Sequence, residues 1–280
     1  MNEWLASSER ARIMGIVNVT PDSFSDGNQF LSHDLAIAHG HALFEAGADV
    51  IDVGGESTRP GSIVISVEEE IRRVIPVVRA LVEDGIRVSI DTSKPAVMEA
   101  AVIEGACLIN DVYALRREGA MDMAARLAVP VCLMHMQGTP DTMQLEPTYC
   151  NVVEEIYDFL SSRVSTCVQK GINRDQIIVD PGFGFGKTKA HNLTLMKSLD
   201  KFLDLSALLM VGVSRKAFIR TISGFEKGLG LDQASAVVAG IAVRRGAGML
   251  RVHDVASTVS MLRLFDSLDL VSFSKSVTVD

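Results

Sequence analysis

The sequence predicts an α/β protein, a single (β/α)8 TIM barrel spanning residues 1–280 as one domain. Three observations predict it. Eight short apolar runs recur at intervals of about 20 to 45 residues, with helical pattern between them. Each run is almost continuously apolar, as parallel strands covered on both faces must be. Polar residues then stand at or just past the C-terminal end of one run after another: Asn18, Asp91, Asn110 with Asp111, His135, Asp180, Ser214, and His253 with Asp254. An open doubly wound sheet would gather its ligand residues from the few strands beside one crevice, whereas a barrel turns all eight strand ends toward one mouth.

The expected strands are Ile13–Val17, Val50–Val53, Arg87–Ile90, Cys107–Ile109, Val131–Met134, Ile177–Val179, Leu208–Val213 and Met249–Val252. Ser66 followed by Glu69 reads as a capping box that opens a helix continuing through Val82, with Gly85 as its stop. Pro76 lies inside that helix, where a kink or break is expected. Lys94-Pro95 puts proline in the first turn of the next helix, and Gly47, Gly105 and Gly171 fall where C-terminal caps belong. No Gly/Ser/Pro linker or shift of composition divides the chain.

Composition excludes several functional classes. With 27 Lys+Arg against 35 Asp+Glu, a formal charge of −8 and no basic tract, the chain is unsuited to a duplex nucleic acid, so any anionic ligand must be small. The first ten residues lack the layout of a signal peptide, and no long uninterrupted apolar stretch marks a membrane span. A soluble, cytoplasmic protein is expected, with no membrane partner. The four cysteines, Cys107, Cys132, Cys150 and Cys167, show no C-x-x-C spacing and read as buried free thiols.

Some signatures fail on inspection. The segment Pro181 to Thr188 ends in Gly-Lys-Thr, but the position five before Gly186 is Pro181 and not glycine, so no phosphate loop is formed. Its glycines read instead as a close backbone approach to a flat ligand, with Phe183 or Phe185 as a wall. His33, His39 and His41 lie on the first helix, and no paired Cys/His spacing marks a zinc site. Asp91 and Asp180, taken singly, could be helix N-caps, and a strand-end histidine such as His135 could be hydrogen-bonded filler. Arg59 sits in a Gly- and Pro-rich loop with Thr58, where an anion or a salt bridge to Glu56 would satisfy it. Arg215, Lys216, Arg251 and His253 bring further positive groups to the same rim, which points to a phosphorylated substrate.

Eight strings, in order along nearly the whole chain, resemble those of bacterial dihydropteroate synthases: Met14 to Gly27, Asp52 to Gly61, Asp91 to Pro95, Ile109-Asn110-Asp111, Leu133 to Met136, Asp180 to Lys187, Ser214-Arg215-Lys216 and Arg251 to Asp254. Two local departures are Asn28, where many members carry a second glycine, and Val112-Tyr113, where small or polar residues are common.

The resemblance implies a transferase of folate biosynthesis, a sulfonamide target, that joins 6-hydroxymethyl-7,8-dihydropterin diphosphate to p-aminobenzoate with Mg²⁺. It implies that Asp180 grips the amino and N3 edge of the pterin, Asn110 and Asp91 the neighbouring nitrogens, and Lys216 the carbonyl side. Arg251 would stack over the ring and reach the diphosphate, which Asn18, Thr58 and His253 hold directly or through Mg²⁺, with Asn18 as the metal ligand. Thr58, Arg59, Pro60, Phe185 and Ser214 would form the p-aminobenzoate slot, and Met134 would line the substrate cleft. A homodimer is implied as well. The loops Thr20–Gly27 and Ser57–Gly61 have few apolar anchors and are expected to be mobile until Mg²⁺ and diphosphate give them something to close on. A methyltetrahydrofolate-dependent methyltransferase would share the pterin clamp but have no use for Arg251 and His253 as diphosphate ligands. A binding protein without turnover would be expected to have lost charged site residues that are all present here.

Overall fold

A computed structural model describes residues 5, 10–20, 29–58 and 61–270. Positions 21–28, Arg59 and Pro60 lie outside the described residues, and with them the expectations placed on those two loops and on Asn28. The strands are β1 Arg12–Asn18, β2 Val50–Gly54, β3 Val88–Asp91, β4 Leu108–Asp111, β5 Val131–Met134, β6 Ile177–Asp180, β7 Leu208–Val211 and β8 Met249–Val252. They pair in sequence order, all parallel, and β8 closes onto β1. The helices are α1 Gln29–Glu45, α2 Val67–Glu83, α3 Pro95–Ile103, α4 Ala120–Leu127, α5 Val152–Gln169, α6 Lys189–Lys197, α7 Ala217–Ser223, α8 Leu229–Arg244 and α9 Val255–Ser267.

The two-residue alternation of strand side chains explains how so apolar a barrel carries a polar site. Outward residues such as Ile13, Ile51, Ile90, Ile109, Leu133, Val179, Val211 and Leu250 join the core beneath the helices. Inward, Met14, Val50, Leu108, Cys132, Ile178, Met210 and Met249 form a separate apolar layer, closed by Leu5 from the N-terminal segment. Two residues further along the strands the parity is unchanged but the chemistry is not. There stand Ile16, Asp52, Asn110, Met134, Asp180, Gly212 and Arg251. The parallel register sets Asp91 beside Asn110 and Met134 beside Asp180.

Helix entries largely follow the sequence. Ser66 accepts the Glu69 N–H, although Glu69 turns its own side chain to Arg72 and Arg73 and completes only half of the expected box. A reciprocal box forms instead at Thr188 and His191. Of the kink or break anticipated at Pro76, the break is absent: α2 runs continuously through it. Proline removes one intrahelical bond, to the Arg72 carbonyl, and burial of Val74, Val77, Val78 and Leu81 on one face holds the helix together. All four cysteines are free. Cys132 and Cys167 are buried, Cys107 is half-buried and Cys150 is exposed.

An added Cβ at Gly182, Gly184 or Gly186 would meet protein atoms. Gly182 has φ +71°, and a Cβ there would overlap the His135 carbonyl oxygen. Phe183 is wholly buried under the helices beside Phe218, which leaves Phe185 as the aromatic wall. Gly85 has nearly the same left-handed φ, +77°, with open space around it. Gly182→Ala is therefore expected to destabilise by on the order of 3 kcal/mol, through backbone strain and overlap together. Gly85→Ala should cost about 1 kcal/mol, from strain alone. Urea denaturation of both variants checks the difference.

Candidate active site

At the C-terminal end of the barrel opens a cavity of about 1220 Å³. Asn18, Thr58, Asp91, Asn110, Met134, Asp180, Phe185, Ser214, Lys216, Arg251 and His253 all line it, so every expected site residue within the described part of the chain faces one space. Arg59 and Pro60 are outside the described residues. Three strand-end residues do not join them. Asp111 accepts the N–H groups of Tyr113 and Leu115 in the β4–α4 turn, at 2.8 Å each. Asp254 caps α9 by accepting the Ser257 N–H. His135 is buried, edge-on to Phe159 at 5.0 Å, and serves as hydrogen-bonded filler. The ring of Tyr113 lies under Arg117, 4.5 Å away, while its neighbour Val112 lines the cavity.

One guanidinium organises the floor. From β8, Arg251 Nε donates to Asp52 Oδ2 of β2 and Nη2 donates to Asp91 Oδ2 of β3, both at 2.6 Å. Asn110 Nδ2 of β4 donates to the same Asp52 oxygen at 3.0 Å. Asp52 is wholly buried, and its other oxygen has no hydrogen-bond partner among the described residues. The sequence reading assigned Asp52 no role. The available signal was a carboxylate in the middle of Val50-Ile51-Asp52-Val53, on the inward parity of Val50, where only a cation or a polar ligand could satisfy it.

The opposite wall carries Asp180 and Lys216. Asp180 is not the N-cap of α6; its Oδ1 accepts the Gly182 N–H at 2.7 Å within the turn after β6. Lys216 Nζ lies 4.0 Å from the centre of the Phe185 ring, and Gly184 leaves room for its stem. Lys216 is carried there by a turn in which Arg215 adopts a left-handed φ of +59°. That conformation is held by Arg215 N–H donating to Ser235 Oγ and by its guanidinium donating to Asp232. Ser214 Oγ accepts the His253 N–H at 3.2 Å and lies 3.0 Å from His253 Nδ1, linking the ends of β7 and β8.

Burial pushes these groups toward neutrality. Asp180 rises to about 6, against the pull of the Gly182 N–H, Lys216, Lys187 and Arg251. Asp91 rises to about 7 because burial outweighs Arg251, with Asp52, Glu70 and Asp111 adding to the rise. Burial, together with Arg251, lowers Lys216 to about 8, although Asp180 and Asp91 pull it back. Burial also works against the charge on Arg251, but Asp52 and Asp91 more than offset it and hold its pKa above the ordinary value. Lys187, another residue without an assigned role, falls to about 7 through burial; its Nζ donates to the Phe185 carbonyl at 2.9 Å and sits 3.0 Å from His135 Nδ1.

These features define a barrel enzyme that takes a small polar, partly anionic molecule at its C-terminal mouth. Comparison with known proteins narrows the class. The sequence profile of the pterin-binding enzymes matches residues 14–253. Dihydropteroate synthase of Escherichia coli K12 is 45% identical over 256 residues, covering 91% of this chain and 90% of that protein. The Haemophilus influenzae dihydropteroate synthase is 45% identical over 260 residues, covering 91% and 93%. Among solved structures, Xanthomonas albilineans dihydropteroate synthase with 4-aminobenzoic acid superposes with a TM-score of 0.87 at 47% identity, covering 94% of each chain. The same enzyme in complex with 7,8-dihydropteroate gives 0.84 at 44%, covering 94% and 95%. Yersinia pestis dihydropteroate synthase in a sulfonamide drug complex gives 0.86 at 42%, covering 93% and 94%. The chain belongs to the dihydropteroate synthase family of pterin-binding enzymes.

The raised pKa of Asp180 makes a stability prediction for the ligand-free protein. An unfolded aspartate titrates near 3.9, so between about pH 4 and 6 the folded protein keeps a proton that the unfolded chain has released. The stability associated with that proton is present at low pH and is lost as pH rises through about 6. Asp180→Asn abolishes this penalty, and at pH 7.5 the empty variant should exceed wild type by on the order of 2–3 kcal/mol. The advantage should vanish below about pH 4. Thermal denaturation across this range checks both limbs.

Proposed function

We propose that the chain joins 6-hydroxymethyl-7,8-dihydropterin diphosphate to p-aminobenzoate, releasing pyrophosphate and forming 7,8-dihydropteroate. The observation that carries this reading is the placement of Asp180 and Lys216 around one cavity with Asn110, Asp91 and Arg251. The 2-amino and N3 hydrogens of the ring meet Asp180, the ring carbonyl meets Lys216, and Asn110 and Asp91 take the remaining nitrogens. Met134 and Phe185 supply apolar walls. Arg251 stacks over the ring and reaches the diphosphate with His253. Phe185, Ser214, Thr58, Arg59 and Pro60 form the acceptor slot, which admits a sulfonamide in place of p-aminobenzoate.

The C–O bond to the diphosphate breaks first, its electron pair leaving with pyrophosphate. Positive charge then spreads from the exocyclic methylene into the dihydropterin ring, where the Asp91 carboxylate stabilises it. The arylamine lone pair forms the new C–N bond, and a proton leaves the resulting ammonium. The amine is already neutral at pH 7, so no strong general base is needed.

Among the described residues no three His, Cys, Asp or Glu side chains converge as a metal cage. Asn18 offers a hard oxygen at the cavity, a donor set that fits Mg²⁺ arriving with a diphosphate and most of its own ligands. Bound there, Mg²⁺ would neutralise charge on the leaving pyrophosphate.

A cytoplasmic homodimer completes the reading. Its support is the free cysteines and the exposed apolar residues Val237 and Ile241 of α8 with Leu264 and Leu268 in and just after α9. Among the described residues no helix is long and apolar enough to cross a membrane.

Incubation with both substrates and Mg²⁺ should yield pyrophosphate and dihydropteroate together; pyrophosphate without pteroate would overturn the assignment. Pterin binding needs Asp180 ionised and Lys216 protonated, so calorimetric affinity should rise with pH through about 6 and fall again through about 8. Loss of the charged acceptor in Asp180→Asn should weaken pterin binding by about 1.5–3 kcal/mol at pH 7.

Binding should also be ordered, because the acceptor slot is built largely on loops. p-Aminobenzoate is expected to give no calorimetric signal with the empty protein and a clear one once Mg²⁺, pyrophosphate and a pterin are present. Equal affinity in the two conditions would show a preformed slot.

A further inference from the structure

We infer that Glu56 and Lys94 are positioning residues for the acceptor slot: a buried ion cluster anchors the base of the β2–α2 connection and thereby fixes Thr58. The inference rests on the reading that Thr58 contacts p-aminobenzoate.

Between Gly55 and Ser66 the chain contains no strand or helix among its described residues. One carboxylate closes the base of this connection. Glu56 Oε2 accepts the Ile65 N–H at 3.0 Å and Lys94 Nζ at 2.6 Å. A second rung forms where Ser62 Oγ donates to the Ser57 carbonyl at 2.5 Å. Arg73 of α2 donates to the Gly55 carbonyl at 3.0 Å. Thr58 follows directly and lines the cavity.

Lys94 comes from another element. It precedes α3, its backbone N–H donates to Thr92 Oγ1, and its side chain is only 8% exposed. Its ammonium also donates to Glu70 of α2, whose side chain is 1% exposed. The other Glu70 oxygen has no partner among the described residues. Two carboxylates thus share one largely buried ammonium, Glu70 deep in the protein and Glu56 partly exposed at the edge of the cavity. That arrangement is a poor way to gain stability, because the second carboxylate brings desolvation without a cation of its own. What it provides is direction: Glu70 of α2 holds the Lys94 ammonium, and Lys94 in turn holds the Glu56 carboxylate at the base of the connection.

The charge count separates positioning from folding. Lys94→Met would leave two carboxylates uncompensated, and its failure to fold would carry no information about the slot. Glu56→Ala leaves Lys94 and Glu70 as a neutral buried pair, so the fold is kept while the anchor is lost. Steady-state kinetics on the full chain should show the p-aminobenzoate KM raised about tenfold in Glu56→Ala, with kcat and the pterin diphosphate KM changed less than twofold and the melting temperature held. Ser62→Ala, which removes the second rung without touching charge, should raise the same KM about threefold.

The decisive comparison is made in a Thr58→Ala background. If Glu56 acts through Thr58, adding Glu56→Ala there should raise the p-aminobenzoate KM less than twofold further. A full tenfold rise in that background would show that Glu56 acts independently and overturn the inference. An unchanged p-aminobenzoate KM in both Glu56→Ala and Ser62→Ala would overturn it too. Wild-type protein that makes no dihydropteroate would instead sink the functional reading on which the inference stands.

Discussion

The site depends on one ionic contact made across the barrel, the guanidinium of Arg251 between the carboxylates of Asp52 and Asp91. It joins β8, β2 and β3, and Asn110 extends it to β4 through the shared Asp52 oxygen. Closure of the sheet is what makes the contact possible, because residues 199 and 160 positions apart in sequence become neighbours across the barrel's interior. The dependence runs both ways. A charged layer immediately above an apolar one is costly, and pairing its ions before ligand arrives offsets part of that cost. Arg251 supplies that partner for two carboxylates at once, and it remains charged because they surround it.

Pairing does not remove the cost of burial, since Asp91 beside Arg251 still rises to about 7, and the same cost is visible in Asp180 and Lys216, which make no ion pair with each other. The carboxyl is pushed up to about 6 and the ammonium down to about 8. The charged form of each would be stabilised by meeting a ligand edge that donates to one and accepts from the other. Part of the free energy of binding is thus stored in the empty protein as discomfort of these two groups. A ring lacking either complementary edge would leave a buried charge unrelieved, so selectivity and instability of the empty site have the same origin.

Much of this was legible in the sequence. The strand runs were readable because parallel strands buried on both faces have few alternatives, and polar residues at successive run ends marked the mouth. Asp52 was hidden by its surroundings: inside an apolar run a single carboxylate looks like an exception until its partner, Arg251, is brought in from the last strand. The Glu56–Lys94–Glu70 cluster was hidden for the same reason, since its members lie on three elements and only packing brings them together. Lys187 was masked by its likeness to a phosphate-loop lysine, although its ammonium serves the Phe185 carbonyl and sits against His135. At Pro76 the helix does not break, because a local rule about lost hydrogen bonds does not count the burial that holds a helix together.

The two halves of the site are built differently, and that difference bears on what each can reject. On the proposed reading the pterin half stands largely on strands, with Asn110 and Asp180 each less than 5% exposed and their bonds directed by the barrel itself. A site of this kind discriminates strongly, since a wrong ring strands buried polar groups. The acceptor half draws largely on loops. On the proposed reading that half includes Thr58, two residues after the Lys94-bound Glu56, and Phe185, whose carbonyl is gripped by Lys187. Where shape and apolar contact decide, as against the Phe185 ring, similar rings are separated by only about 10- to 200-fold. The Yersinia pestis relative in its sulfonamide drug complex is consistent with such tolerance. In this chain tolerance for the acceptor should therefore be set by how firmly the loop bases are anchored, and the ion cluster at Glu56 is the place where that firmness is built in.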